Sequence, residues 1–155
     1  MTKNQRFCTF FLNDLFFGIE VENVQEVNRF QEMTSIPLAP EAVCGLINLR
    51  GQVVTAIRLK CMLALADSKE NTDPMNVVIQ SQEGIFSFIV DDIGEVLEVN
   101  DELLEPPPDT LMGPVREIIR GAYKVEPNLL LALDANKILN SPAFELNTIT
   151  SHSIQ

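Results

Sequence analysis

The amino-acid sequence predicts a mainly β fold of two barrel-like subdomains packed together, with short helices only. Two observations carry this reading. Apolar runs of strand length recur along the 155 residues, separated by Gly, Pro, Asn and Asp turn signals. The pattern also repeats. Ile19–Val27 resembles Phe88–Val96 at an offset of 69, and Ala56–Leu63 resembles Ala132–Leu139 at an offset of 76. Short strands with frequent turns favour closed barrels, because closure removes exposed sheet edges.

The elements follow in order. Gln5–Leu12 alternates around Phe7, Thr9 and Phe11, turns at Asn13-Asp14 and returns as Leu15–Glu20, an opening hairpin. Val21, Val24 and Val27 recur every third residue with Glu22, Gln25 and Glu26 between them, which predicts a short amphipathic helical turn. Arg29–Ile36 reads as a strand, and Pro37-Leu38-Ala39-Pro40 as a stiff extended connection.

Val43–Leu49 and Val53–Ile57 form the central hairpin, with Arg50-Gly51 at its tip. Arg50 is either a solvated turn residue or part of a binding site; nothing within the hairpin neutralises it. Leu59, Met62, Leu63 and Leu65 predict a short helix, and Asp67–Asp73 a polar loop. Met75–Gln80 and Ile85–Val90 are strands. Asp91–Val99 carries Ile93, Val96 and Leu97 at helical spacing. Pro106-Pro107-Pro108 is too stiff for a central strand and reads as a surface polyproline segment. Glu117–Val125 and Leu129–Leu133 make a last hairpin, after which Asp134 caps a helix to about Leu139. Residues 141–155 read as a loose polar tail.

Composition narrows the function. The chain is 46% hydrophobic and 21% charged, as globular proteins are. A net charge of −11 argues against nucleic acid, whose binding needs a basic footprint, and against anionic membrane surfaces. No run approaches the roughly 20 apolar residues of a membrane helix. Met1–Arg6 lacks the pattern of a signal peptide, so a cytoplasmic location is expected. Cys8, Cys44 and Cys61 are widely spaced and read as reduced core residues. The single histidine, His152, weakens triad and His-metal chemistry together. No catalytic residue, metal or cofactor is expected.

Four segments carry a resemblance: Phe17-Gly18-Ile19-Glu20, Val24-Gln25-Glu26-Val27, Gly45-Leu46-Ile47-Asn48-Leu49-Arg50-Gly51-Gln52-Val53-Val54 and Ile89-Val90-Asp91. Together they resemble the CheW-type chemotaxis coupling proteins, over about Arg6 to Leu139. The resemblance implies two intertwined, SH3-like five-stranded β-barrel subdomains within one domain over 1–140. It implies no catalysis. It implies a link between the cytoplasmic tip of a methyl-accepting chemoreceptor and the regulatory domain of a CheA-type histidine kinase. The family's partner-binding positions fall on Val24, Glu26, Gly45 and Arg50, with Asn48 in the same motif and Ile57 added by analogy on the returning strand. The family usually continues Val-Val-Pro-Val-Ile-Asp-Leu-Arg, whereas this chain has Val53-Val54-Thr55-Ala56-Ile57-Arg58-Leu59-Lys60, so Arg58 replaces an acid. The resemblance is to the short type, and no attached receiver domain is expected.

Two other classes of function are open to the residues alone. An enzyme could use Glu20, Glu22, Asp91 and Asp92 as acid and base. The same carboxylates also suit the starts of helical turns, where negative charge is favourable. A sensor could hold a small metabolite between the subdomains.

Overall fold

The computed structural model describes residues 4–29, 32–65, 73–82 and 84–140. Ten strands are present: β1 (Asn4–Leu12), β2 (Leu15–Glu20), β3 (Val24–Arg29), β4 (Val43–Leu49), β5 (Gln52–Arg58), β6 (Met75–Ser81), β7 (Gly84–Val90), β8 (Asp92–Asn100), β9 (Ile119–Val125) and β10 (Asn128–Leu133). Three helices of one turn, α1 (Leu59–Met62), α2 (Pro114–Ile118) and α3 (Ala135–Leu139), lie beside them. The strands form two five-stranded sheets, ordered β8-β1-β2-β10-β9 and β3-β6-β7-β5-β4.

The two orders are the same order. Pairing β1 with β6, β2 with β7, β3 with β8, β4 with β9 and β5 with β10 turns one sheet into the other. The single parallel contact is kept, β2 beside β10 in one sheet and β7 beside β5 in the other. Each sheet draws on both halves of the chain: β1 and β2 join β8, β9 and β10 in the first, and β6 and β7 join β3, β4 and β5 in the second. The repeat legible in the sequence is therefore a structural pseudo-twofold, and the two units are intertwined by strand exchange.

Apolar side chains form three layers. One cluster joins the sheets, with Phe10 and Phe17 from the first facing Ile57, Ile79 and Phe88 from the second. A second cluster, around Phe7, Tyr123 and Leu130, fills the first unit; a third, around Ile47, Val54 and Val78, fills the second. Each fully buried side chain of this size contributes about 1.5–3 kcal/mol. β1 and β5 feed two layers at once because alternate residues point to opposite faces.

Two elements differ from the sequence reading for one reason. The helical turn at Val21–Val27 is a 3-10 turn over Val21–Asn23 only, followed by β3; Asp91–Val99 is β8 rather than a helix. Both strands carry a bulge. Register shifts between Val24 and Glu26 against β6, and β8 inserts an extra residue where Cys8 faces Val96 but Phe10 faces Ile93. An added residue converts the strand period of two into a spacing of three, which imitates a helix.

Other expectations are corrected. Beyond Arg29 there is no strand among the described residues up to Ile36, only a bridge from Thr34 to Leu46. Pro37-Leu38 turns rather than extends, with Leu38 at φ 63°. Glu117 belongs to α2, a helix started by Pro114. The three cysteines are half-buried rather than core. Of the four carboxylates read as helix starts, Glu22 lies in the first turn of the 3-10 turn, Asp92 accepts from the Ile93 backbone N–H at 2.9 Å, and the other two make ion pairs. Glu20 meets Arg120. Asp91 meets Lys60 at 2.9 Å and also accepts from the Asn13 backbone N–H at 2.7 Å, tying the first hairpin turn to α1. Asp134 caps α3 as expected, accepting from the Lys137 N–H at 3.1 Å. Most of the 67–73 loop and the 141–155 tail lie outside the described residues, as does His152.

Candidate functional site: the seam of the second unit

β4 and β5 meet in a two-residue turn with Arg50 at φ 54° and Gly51 at φ 85°. Two successive positive φ values match the right-handed twist of the hairpin. Asn48 Oδ1 accepts from the Gly51 N–H at 2.9 Å and holds the turn. Gly suits this backbone, whereas arginine is disfavoured there.

β3 and β4 are the two edges of their sheet, and the sheet curls until they approach. Arg50 Nη1 lies 3.4 Å from Glu26 Oε2, across that seam. Glu26 is held by a second contact, since Asn28 Nδ2 donates to its Oε1 at 2.5 Å. Behind β3, buried Asn76 donates to the Arg29 carbonyl at 3.2 Å and accepts from Ser87 Oγ at 3.1 Å. The carboxylate side chain is 19% exposed and the guanidinium side chain 84% exposed. A groove of about 420 Å³ opens here, lined by Glu26, Val27, Asn28, Asn48, Leu49 and Arg50. Exposed Val27 and Val53 flank the charged pair. The arrangement offers a planar cation beside apolar surface, suited to a carboxylate on an opposing protein.

Comparison with known proteins then decides the family. The model of the CheW-like domain matches residues 6–143. The chain belongs to the CheW-like domain family. A chemotaxis protein CheW from Klebsiella aerogenes is 27% identical, over 97% of this chain and 92% of that one. One from Bacillus subtilis is 30% identical, over 88% and 87%. The crystal structure of the scaffolding protein TtCheW from Thermoanaerobacter tengcongensis superimposes with a TM-score of 0.79 at 24% identity, over 88% of each chain, and shows the fold. Among the described residues, no helix is long and apolar enough to cross a membrane.

The CheW-like site residues named from sequence divide in two. Glu26, Asn48 and Arg50 converge on the seam groove. Val24 lies on the same strand, half-buried against the inter-sheet core. Gly45 and Ile57 do not reach the surface. Ile57 is fully buried between the sheets, so its part is packing. Gly45 is buried where the Met33-Thr34 segment crosses β4: a Cβ there would sit 2.6 Å from the Thr34 carbonyl oxygen. Gly121 does the same for the Glu105 carbonyl in the other unit. Arg58 is exposed and has no ion-pair partner among the described residues. Sequence reasoning missed Asn28, Asn76 and Ser87. Alternation on β3 would have placed Asn28 beside Glu26, but the helical reading of that stretch concealed it.

Proposed function

We propose that this chain is a non-catalytic cytoplasmic adaptor that couples the tip of a methyl-accepting chemoreceptor to the regulatory domain of a CheA-type histidine kinase. The observation that carries the reading is Arg50. It occupies a left-handed backbone position that local energetics assign to glycine or asparagine, is almost fully exposed, and touches its own chain through one nitrogen. Family membership and relatives named as chemotaxis proteins support the same role. Glu26, Asn48 and Val24 complete the docking surface; Gly45 and Ile57 support it from behind. The comparisons give no support to the alternative, a sensor holding a small metabolite between the units.

Reconstitution tests this. Kinase autophosphorylation in the presence of a receptor cytoplasmic fragment is expected to rise on adding the wild-type chain and to rise far less with Arg50→Ala. Equal stimulation by both proteins would remove Arg50 from the site.

A further inference from the structure

One end of the second unit carries cations where the first unit carries acids. β3 and β5 run in the same direction, since β3 and β7 are both antiparallel to β6 and β7 is parallel to β5. Their last residues, Arg29 and Arg58, therefore stand at one end of the sheet, opposite the end that holds the Arg50 tip. Three strand spacings separate them, roughly 14 Å along the sheet. The offsets of 69 and 76 carry Arg29 onto Glu98 and Arg58 onto Asp134 in the first unit. The register agrees, because Arg29 faces Met75 on β6 as Glu98 faces Arg6 on β1.

The described contacts of the fold account for neither arginine. Arg29 Nη1 lies 3.8 Å from Asp73 Oδ1 with both side chains largely in solvent, a pair that contributes little. Arg58 has no ion-pair partner among the described residues, and it stands directly before α1, where the fold would prefer an acid. Its counterpart Asp134 caps α3 through the Lys137 N–H, whereas Arg58 makes no side-chain cap. A cation is unfavourable at a helix start. The Arg58 N–H donates to the Ala42 carbonyl at 2.7 Å, which holds the segment after Pro37 at this end. In that segment Leu38 is 82% exposed at φ 63°, a left-handed position that a leucine rarely adopts.

We infer that this basic end docks an acidic segment of a second protein, the partner that the Arg50 seam does not hold. Exposed cations do little for the fold, but across an interface they fix register and reject wrong partners. Two guanidinium forks on a chain of net charge −11 select a partner by its carboxylates, and Leu38 offers an apolar contact in the same region. β5 spans seven residues, roughly 20 Å, so the seam and the basic end are far enough apart to be occupied together. The inference rests on the adaptor reading and adds to it a surface that shares no residue with the seam.

Calorimetric titration of the full chain against the purified kinase regulatory domain and a receptor tip fragment, at about 0.15 M salt, tests it. The double variant Arg29→Glu/Arg58→Asp should bind one partner roughly tenfold or more weakly, the one whose affinity Arg50→Ala leaves within about twofold, and should bind the other as wild type does. Arg29→Lys/Arg58→Lys should keep most of that affinity, because the positive charge remains. Arg58→Asp alone should melt no lower than wild type, since an acid suits the start of α1; a lower melting temperature would make Arg58 a structural residue and overturn the inference. Wild-type affinity of the reversed variant for both fragments, or a loss toward the partner that Arg50→Ala also weakens, would overturn it while the adaptor reading stands. A wild-type chain that binds neither fragment would overturn the adaptor reading and this inference together.

Discussion

Arg50 and Glu26 are joined across the seam between the two edge strands of one sheet, 3.4 Å apart, with the carboxylate largely buried and the guanidinium largely in solvent. The asymmetry separates what each residue does for stability from what it does for binding.

Arg50→Ala should change stability by no more than about 0.5 kcal/mol, since exposed ion pairs contribute little. Arg50→Gly should leave it unchanged or raise it, because glycine adopts the left-handed turn without penalty. Glu26→Ala should cost more, about 1–2 kcal/mol, because it strips the Asn28 amide of its acceptor. Urea denaturation of the three variants orders them; an Arg50→Ala loss larger than that of Glu26→Ala would refute the assignment.

Gly45→Ala tests the packing role directly. A Cβ at 2.6 Å from the Thr34 oxygen must push apart two backbone segments, at a cost of about 1–3 kcal/mol. Gly121→Ala should behave alike, since the pseudo-twofold gives it the same neighbour. A Gly45→Ala protein with an unshifted denaturation midpoint would return Gly45 to the list of surface candidates.

Much of this was legible in the sequence. Strand-length apolar runs gave the hairpins, and the repeat gave the two units. What was hidden depends on distant contacts. Glu26 and Arg50 meet only because the sheet curls, and no local pattern records that. Gln25 and Gly94 sit at bulges, so the valines and isoleucine around them copied a helical period. Ile57 was matched by position on its strand, but whether that position faces solvent is decided by the other sheet.

Tyr123 provides a pH test of the first unit's interior. It is the sole tyrosine, and the chain has no tryptophan. Burial raises its pKa above the usual 10.0, and its hydrogen bond to the Asp101 carboxylate, at 3.1 Å, raises it further. The folded state therefore holds its proton more tightly than the unfolded chain. This stabilisation is complete below the unfolded pKa and is lost as pH rises through the folded one. Absorbance titration should place the phenol above free tyrosine, and stability should fall with pH above about 10. A phenol titrating as in a free peptide would contradict the packing around Phe7 and Tyr123.

Partner association should depend on salt. A chain of net charge −11 meeting a basic surface is drawn by long-range attraction, screened within about 10 Å at 0.1 M salt. Stopped-flow association with the kinase regulatory domain should slow as salt rises. A rate indifferent to salt would mean that the charge serves solubility alone.

Calorimetric titration of wild type and Arg50→Ala, against the purified kinase regulatory domain and a receptor tip fragment, bears most directly on the adaptor role. With the melting temperature unchanged, Arg50→Ala should lose about 2 kcal/mol, roughly thirtyfold in affinity, toward at least one partner, and Arg50→Lys should recover only part, because an ammonium lacks the guanidinium fork. Wild-type affinity of Arg50→Ala for both partners would contradict the account.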